Sequence, residues 1–330
     1  MQRLCSSQGL GAPRLWPCAG TSGIVLAMTD FRLKMPLLTA LCVLFLLPCV
    51  ALGALPVGVP SDVLRDYQAW LGERDPYALT DFSGPGARRD VVELALFQQA
   101  FDRGCDRRDV TWVQLDSYQR ILASLLAGDI LATGTTIWSE PFDEGLVALS
   151  PPTIPDGQFT ALFYTAKGRQ QRLRKTEDLT RLTVVSSTQW ERDWQALGRV
   201  PVKERLDANS WATMVRWVAS GRADALLAPS NNSAGSVIEV DGAVLAPMPG
   251  LRMPIPGSRH FAFHIHRFAG ARAGACFARG LYQMIEAGVV ERAYRDAGFW
   301  REDVMRWPAA RLAPLPKPEP DPDAPLFLPF

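Results

Sequence analysis

The chain has 330 residues, of which 48% are apolar and 21% charged, with a formal net charge of +1. This length fits one large domain or two ordinary ones. The absence of a basic excess argues against a nucleic-acid-binding protein. The sequence has no Gly-rich phosphate loop, Gly-x-Ser-x-Gly elbow, His-Glu-x-x-His or Cys-x-x-Cys, so no cofactor is predicted.

The N-terminal region has the pattern of a secretory signal. An apolar run over residues 35–47 follows Arg32 and Lys34, and small residues fill positions 51–54. Such a run suits a signal peptide and is short for a membrane span, although a retained anchor is the alternative. Residues 1–54 are therefore predicted to be a signal peptide with an N-terminal extension, and the protein is expected in the periplasm.

Removal of that segment leaves two cysteines, Cys105 and Cys276. An exported protein matures in an oxidising compartment, where a disulfide can persist. The sequence leaves two outcomes open, one disulfide or two separate buried thiols.

Strands and helices alternate in the first half of the chain. A turn signal at residues 83–86 separates the first two of these elements from the rest. Alternation of this kind predicts a mainly parallel sheet flanked by helices. The predicted elements are a helix at 63–71, a strand at 77–82, a helix at 89–103, a strand at 110–115, a helix ending at Gly128, and a strand at 130–137.

One local pattern occurs twice. Asp116-Ser117 precedes an apolar helical stripe that Gly128 ends, and Asn209-Ser210 precedes a similar stripe that Gly221 ends. Asx and Ser are favoured helix N-caps, and Gly is the favoured residue after a helix. Both copies have the same length and continue into a strand, which predicts two similar lobes.

Two proline-rich breaks, at 150–155 and 247–256, divide the chain. They predict that the chain passes into a second lobe at about 150–164 and returns at about 257–266. The elements predicted after the first break are strands at 159–164, 182–185, 200–206, 223–228 and 260–266, and helices at 190–197, 211–220, 276–287 and 289–297.

These boundaries define the predicted domains. Lobe 1 comprises residues 55–158 and 258–307, and lobe 2 comprises residues 159–257. Residues 308–330 are rich in proline, which excludes a helix or central strand. They are expected to form an extended tail that is disordered or lies along the surface.

Several short motifs in this order resemble one known family. They are Ser117-Tyr118 with Gly128-Asp129, the strand 182–185 with its Ser/Thr cap, Gly221-Arg-Ala-Asp224, and Gly280-Leu with Gly298-Phe-Trp300. Together they resemble the periplasmic solute-binding proteins of ABC importers, in the family that binds amino acids and other small polar solutes. The resemblance implies an α/β, two-lobed periplasmic-binding-protein fold (type II), with a mainly parallel sheet in each lobe.

The resemblance also implies a function. A monomer would bind a small polar solute by hinge closure and deliver it to an ABC permease or a membrane sensor, without catalysis. The alternative is a hydrolase-type enzyme on the same scaffold, which needs paired carboxylates in the cleft. The candidate pairs are Asp116 with Glu140, and Asp81 with Asp143.

The chain departs from the family at residues 135–144. Amino-acid binders of this type carry a Thr-x-x-x-Arg pattern there, whose Arg holds the ligand carboxylate. Here the segment has no Arg and contains Glu140, Asp143 and Glu144. The sequence therefore predicts a cleft without a strong anion clamp, and a neutral or cationic ligand.

The ligand of such a fold lies at the carboxyl ends of strands and the N-termini of helices. Each candidate Ser, Thr, Asp or Asn could equally be a plain helix cap, and each Trp could be core. The candidates are Asp81, Phe82, Ser83, Asp116, Tyr118, Thr135, Thr136 and Trp138 in lobe 1, and Ser187, Thr188, Trp190, Asn209, Trp211, Ser230 and Asn231 in lobe 2.

Three histidines and two arginines are further candidates for binding sites. His260, His264 and His266 share one face of a predicted strand, but no carboxylate or thiol motif completes a metal shell, so no metal site is predicted. Arg88 and Arg89 begin a helix, where positive charge opposes the helix dipole. They either bind an anion or another chain, or form a solvated face.

Overall fold

The computed structural model describes residues 54–105, 109–139, 142, 145–231 and 234–315. The predicted signal segment, the carboxylates Glu140 and Asp143, and the tail after residue 315 lie outside these ranges. Among the described helices, none combines the length and the apolarity needed to cross a membrane.

The first part of the chain forms a series of strands and helices. They are β1 (Leu55–Pro60), α1 (Ser61–Leu71), α2 (Arg89–Gly104), β2 (Val110–Leu115), α3 (Tyr118–Ala127), β3 (Ala132–Thr133), β4 (Ile137–Trp138) and β5 (Val147–Leu149).

The remaining elements follow in order. They are β6 (Thr160–Ala166), β7 (Thr183–Ser186), α4 (Glu191–Leu197), β8 (Glu204–Asp207), α5 (Trp211–Ser220), β9 (Ala225–Pro229), β10 (Ile238–Val240), β11 (Ala243–Pro247), β12 (Met253–Pro254), β13 (Arg259–His260), β14 (Ala262–His264), α6 (Phe268–Glu286), α7 (Val289–Asp296) and α8 (Glu302–Met305).

These strands build two main sheets, which share no strand. The first has the order β2-β1-β3-β14-β5, and β1 is parallel to both β2 and β3. The second has the order β10-β11-β6-β9-β7-β8, with β12 also paired to β6, and β7 is parallel to both β8 and β9. We call the parts of the molecule built on these sheets lobe 1 and lobe 2.

The duplicated sequence pattern produces duplicated geometry. Ser117 and Ser210 are the N-caps of α3 and α5, and each hydroxyl accepts a hydrogen bond from the backbone N–H three residues later. Gly128 and Gly221 end the two helices with φ angles of 75° and 83°, a left-handed conformation that glycine adopts without strain. The caps lie one residue later than Asp116 and Asn209, as is common for helix ends.

Within the described part of the chain, three segments connect the lobes. Residues 150–159 lead out of lobe 1, and residues 254–262 lead back, where β13 pairs with β4 in a separate two-stranded sheet. The third crossing is at Gly298–Phe299, whose carbonyl oxygens accept hydrogen bonds from Ser230 Oγ of lobe 2, both at 2.9 Å.

After this third crossing the chain packs on lobe 2. Val304 belongs to a hydrophobic cluster of lobe 2, and Trp307 packs against it. The backbone of Pro308 and Ala310 then bonds to that of Arg252 at 3.0 and 2.8 Å. The described start of the predicted tail therefore lies along the surface of lobe 2.

Helices α2 and α6 cover one face of the lobe 1 sheet in close contact. A Cβ atom added to Gly280 of α6 would lie 1.9 Å from the carbonyl oxygen of Ala100, and one added to Gly104 would lie 2.0 Å from that of Cys276. Cys276 forms a disulfide with Cys105 at the end of α2, with the Cα atoms 5.6 Å apart. Of the two outcomes that the sequence left open, the structure has the disulfide.

The sequence-based elements differ from the structure in several places, and β5, β10, β11, β12 and α8 were not predicted. Residues 77–82 form no strand, and the first strand is β1, which was not predicted. The runs 130–137 and 260–266 are each split into two short strands, because the chain changes sheets within them. Helix α6 begins at Phe268 rather than near Cys276, because small Gly and Ala residues at its start concealed the helical periodicity.

Candidate functional site

A buried carboxylate anchors a polar cluster in lobe 1 beside the crossing segments. The side chain of Glu93 on α2 is fully buried and forms an ion pair with Arg89 at 2.9 Å. Its oxygens also accept hydrogen bonds from Thr136 N at 2.9 Å, Thr136 Oγ1 at 2.8 Å and Tyr294 Oη at 3.0 Å. Glu93 is therefore fully engaged within the protein, as a buried charge must be.

A second guanidinium approaches the same threonine. Arg259 of β13 donates from Nε to Thr136 Oγ1 at 3.0 Å and from Nη2 to the Thr136 carbonyl oxygen. Its guanidinium carbon lies 4.6 Å from the ring centroid of Trp138 and 5.7 Å from that of Phe159. Arg259 has no ion pair with a carboxylate in the part of the chain that the structure describes.

The two guanidiniums differ in charge compensation. Burial opposes the charge on Arg89, but Glu93 and Asp90 outweigh it, and the pKa of Arg89 is raised. Burial lowers the pKa of Arg259 to about 10, and repulsion from Arg89 adds to this, while Glu93 offsets only part of the cost. Arg259 is thus the group at this site that an added anion would stabilise most.

Lobe 2 faces this cluster with the first turn of α4. Burial raises the pKa of Asp193 to about 6, although the charges of Arg259 and Arg89 act in the opposite direction. The Asp193 carboxylate forms no ion pair or side-chain hydrogen bond within the described residues. It faces lobe 1 without a direct partner.

Two direct contacts hold the lobes together at this place. Arg192 Nη2 donates to the Ser139 carbonyl oxygen at 3.3 Å, and Gln119 Nε2 donates to the Gln189 carbonyl oxygen at 2.7 Å. The N-terminal turns of α3 and α4 therefore meet across the interlobe face. Arg192 of lobe 2 thus brings a positive charge beside Asp193, on which the charges of Arg259 and Arg89 of lobe 1 act.

Part of the predicted lobe 1 set lies at this site. Thr136 and Trp138 contact Arg259 directly, and Tyr118 Oη accepts a hydrogen bond from Trp138 N at 3.1 Å. Thr135 is buried immediately before Thr136. The sequence thus identified the segment of Thr136 and Trp138 that contacts Arg259, but it did not identify Arg259.

The predicted lobe 2 residues lie at the carboxyl ends of β7 and β8. Thr188 donates to Asp207 through its backbone N at 2.9 Å and its hydroxyl at 3.0 Å, and Ser187 Oγ accepts from Gln189 N at 3.2 Å. Ser187 and Thr188 therefore form local hydrogen bonds where the chain leaves β7. Trp190 and Trp211 pack against each other, with ring centroids 6.2 Å apart.

The structure places several other candidates away from this site. Phe82 is fully buried in the lobe 1 core, and Asp116 is exposed and 3.5 Å from Arg120. Asn209 is exposed ahead of the Ser210 cap. Ser230 is buried against the third crossing, as described above.

The last candidates form local hydrogen bonds. Asp81 is exposed and accepts from Ser83 N at 2.9 Å, and hydrogen bonds from Ser83 lower the pKa of this carboxyl. The Ser83 carbonyl oxygen accepts from Trp70 Nε1 at 3.0 Å. Asn231 Nδ2 donates to the Val237 carbonyl oxygen at 3.1 Å.

The described residues contain no group of three or more His, Cys, Asp or Glu that could hold a metal ion. His260 bonds to Ser258 Oγ and to the Ser150 carbonyl oxygen, both at 2.7 Å. His264 is buried, and its ring centroid is 6.5 Å from that of His266.

Sequence reasoning missed Arg259, Asp193, Glu93 and Tyr294, and it left Arg89 undecided. The sequence predicted a cleft without a strong anion clamp, and that prediction did not include Arg259, which reaches this segment from a strand 123 positions after Thr136. The available signal was a charged residue directly after a proline-rich break, where the chain re-enters lobe 1. Arg89 binds within lobe 1 through Glu93 instead of forming a solvated face.

No protein-family model matches the chain, and no curated protein matches it. Several solved structures are similar to it. The probable amino-acid ABC transporter extracellular-binding protein ytmK from Bacillus subtilis is similar with a TM-score of 0.50 and 13% identity, covering 75% of this chain and 99% of that one. With this likeness and the two sheet topologies, the predicted two-lobed periplasmic-binding-protein fold of type II is confirmed. Both sheets are mixed rather than mainly parallel as predicted, because β14 is antiparallel to β3 and β5 in lobe 1, and β6 is antiparallel to β9, β11 and β12 in lobe 2.

Two other solved structures are similar at slightly lower scores. The periplasmic VFT2 domain of Bordetella pertussis BvgS has a TM-score of 0.48 and 16% identity, covering 75% of this chain and 93% of that one. An ancestral cationic amino acid solute binding protein, AncCDT-1, has a TM-score of 0.48 and 18% identity, covering 74% of this chain and 96% of that one.

Proposed function

We propose that this protein binds a small polar solute between its two lobes and closes around it by hinge motion. The proposal extends to a monomer in the periplasm that delivers the solute to an ABC permease or a membrane sensor. One observation carries it: Arg259 of lobe 1 lies near enough to Asp193 of lobe 2 for its charge to oppose the rise in the pKa of Asp193, yet the two form no salt bridge, and neither has another ion-pair partner within the described residues.

The physical reason is the cost of closing the lobes without a ligand. Burial lowers the pKa of Arg259 and raises that of Asp193, so each charged form is destabilised in the closed arrangement. A solute that brings an anion to Arg259 and a cation to Asp193 offsets both costs. Because it interacts more strongly with the closed form than with an open one, such a solute shifts the population toward closure.

This charge pattern defines the class of ligand that we propose. A small zwitterion satisfies both lobes, whereas a dicarboxylate would place its second negative charge against Asp193. The description of the Bacillus subtilis protein as a probable amino-acid transporter component agrees with that class. In this proposal lobe 1 comprises residues 55–158 and 258–298, and lobe 2 comprises residues 159–257 together with residues 299–315, which pack on it.

A thermal-shift comparison tests the ligand class. Glycine, acetate, methylamine and succinate are added separately to the purified protein. Glycine should raise the melting temperature most, because a ligand at a hundred times its Kd stabilises the folded state by about 2.7 kcal/mol. If succinate stabilises the protein more than glycine does, the proposed charge pattern is wrong.

Two substitutions and one control test the residues. Arg259→Met and Asp193→Asn should each abolish the shift caused by glycine, since each removes one pole of the site. Glu191→Gln, on the same helix turn as Asp193, should leave it unchanged, because Glu191 is exposed and, among the described residues, bonds only to Gln195 at 2.9 Å. A glycine shift that survives in both site variants would contradict the proposal.

A hydrolase-type reaction is the competing function, and the described part of the structure gives it little support. Asp81 and Asp116, one member of each candidate carboxylate pair, are both exposed and engaged in local contacts. Incubation of the bound solute with the protein, followed by proton NMR, separates the two functions. A solute that is recovered unchanged supports binding, and a new product supports catalysis.

A further inference from the structure

Two tryptophans form an exposed pair at the edge of lobe 2. The rings of Trp190 and Trp211 have centroids 6.2 Å apart and are tilted by 44°. Trp211 keeps 37% of its surface exposed, and Trp190 is half-buried. Neither indole N–H donates to an acceptor within the described residues. Exposure of so large an apolar surface is costly unless the surface serves for binding.

The pair adjoins the charged interlobe site. Trp190 is the N-cap of α4, and Asp193 lies in the first turn of the same helix. The residue before Trp190, Gln189, receives the hydrogen bond from Gln119 of lobe 1 at 2.7 Å. The tryptophan pair therefore begins where the direct contact between the lobes ends.

Other tryptophans of lobe 2 are covered by the protein itself. The guanidinium carbon of Arg222 lies 3.7 Å from the ring centroid of Trp217, and that of Arg205 lies 4.6 Å from the ring centroid of Trp194. Among the described residues, no guanidinium lies over Trp190 or Trp211. Trp190 packs in part against a hydrophobic cluster of lobe 2, so the open ring surface of the pair belongs mainly to Trp211.

We propose that Trp190 and Trp211 form a second subsite that stacks on a planar side group of the solute. An aromatic ring or a guanidinium group would fit, since both offer a flat surface to an indole. The inference rests on the proposed function and deepens it: the charged site holds the two poles of the solute, and the tryptophan pair selects what else the solute carries. Solutes with a planar group are then favoured over solutes that have only the two charges.

Calorimetric titration with three probes tests the subsite. L-alanine, L-phenylalanine and L-arginine share one zwitterionic core, and only the last two carry a planar group. In the unchanged protein, L-phenylalanine, L-arginine or both should bind about tenfold more tightly than L-alanine. Trp211→Ala should remove that advantage while leaving the affinity for L-alanine within about twofold.

Trp217→Ala is the matched control, because Trp217 lies on the same helix and its ring is already covered by Arg222. This variant should keep the advantage of the planar probes. Trp211→Phe, which retains a flat ring, should restore part of it.

The outcomes distinguish the subsite from the proposed function. If the unchanged protein has no preference among the probes, or if Trp211→Ala weakens all three equally, the subsite proposal is overturned. If L-alanine binding is lost in Arg259→Met in either case, the proposed function stands without the subsite. If no probe binds the unchanged protein, both proposals fail.

Discussion

The two lobes carry the same folding unit, but they use it differently at the interlobe face. In lobe 1 the helix that starts at the face, α2, has 16 residues, and its carboxylate Glu93 is bonded to Arg89, Thr136 and Tyr294. In lobe 2 the corresponding helix, α4, has 7 residues, and its carboxylate Asp193 has no direct partner among the described residues. Lobe 1 thus presents a fixed polar framework, and lobe 2 presents a charge that a ligand can use.

The aromatic residues at the start of the duplicated helices show the same difference. Tyr118, the first residue of α3, accepts a hydrogen bond from Trp138 N at 3.1 Å and so joins the framework around Arg259. Trp211, the first residue of α5, packs on Trp190 and remains 37% exposed. Equivalent positions in a duplicated fold can therefore serve rigidity in one lobe and recognition in the other.

The sharpest way to break this comparison is to remove the buried charge of lobe 1. Glu93→Gln removes the closer ion pair of Arg89, at 2.9 Å, and leaves only the one with Asp90 at 4.0 Å. Breaking a buried pair in this way costs about 3–5 kcal/mol. Urea denaturation should show a loss of that size in the free energy of unfolding. Glu191→Gln in lobe 2 is the control and should stay within about 0.5 kcal/mol of the unchanged protein. If Glu93→Gln lowers the free energy of unfolding by less than about 1 kcal/mol, the bonds of Glu93 do not hold a fixed polar framework in lobe 1.

The close packing of lobe 1 can be tested separately. In Gly280→Ala, the new methyl group would lie 1.9 Å from the Ala100 carbonyl oxygen, so α2 and α6 must move apart. Alanine favours a helix over glycine by about 1 kcal/mol, but overpacking against the backbone should win and lower stability by about 3 kcal/mol.

Gly274→Ala on the same helix is the control for that substitution. Its methyl group would lie 3.2 Å from Phe263 Cβ and Cγ, a contact that a shift of a few tenths of an ångström relieves. Thermal unfolding should show a clearly smaller loss for Gly274→Ala than for Gly280→Ala. Equal losses in the two variants would contradict the tight approach of α2 to α6.

The unpaired charge of lobe 2 predicts a dependence on pH. The pKa of Asp193 rises from 3.8 to about 6 on folding. Below the lower value the carboxyl is protonated in both states and costs nothing. As the pH rises from about 4 to about 6, the unfolded chain ionises Asp193 while the folded protein keeps this half-buried carboxyl protonated, and roughly 2–3 kcal/mol of stability is lost by the time the folded state ionises.

Comparison with Asp193→Asn isolates this contribution. The free energy of unfolding is measured for both proteins by urea denaturation from pH 4 to pH 7.5. The variant should gain stability relative to the unchanged protein as the pH increases. The groups that face Asp193 are Arg259 and Arg89, which remain charged throughout this range. A constant difference between the two proteins would show that Asp193 is already paired or solvated.

The smallest expected effect on stability is that of Trp211→Ala. A core Trp→Ala substitution costs about 3–5 kcal/mol. Because Trp211 is 37% exposed and contacts mainly Trp190, the loss should be about 1 kcal/mol or less. Thermal unfolding measures this loss of stability. A loss typical of a core tryptophan would show that Trp211 serves packing, and the proposed difference in role between Trp211 and Tyr118 would be wrong.

The sequence by itself determined the local structure of the duplicated unit. Caps, helix lengths and glycine stops follow from interactions within one or two turns, so Ser117, Gly128, Ser210 and Gly221 were identified from their neighbours in the chain. The alternation of strands and helices and the two proline-rich breaks then indicated two lobes. The same local signals led to the segment of Thr136 and Trp138, at the end of the first duplicated unit.

Only the tertiary structure decided which charges meet at that segment. Arg259 lies 123 positions after Thr136 and reaches it because the returning chain pairs β13 with β4. Asp193 reaches the same place from the other lobe, and its altered pKa arises from burial against residues that are distant in sequence. Electrostatic contacts depend on distance in space, and no local pattern records which of many charged residues the fold will bring together.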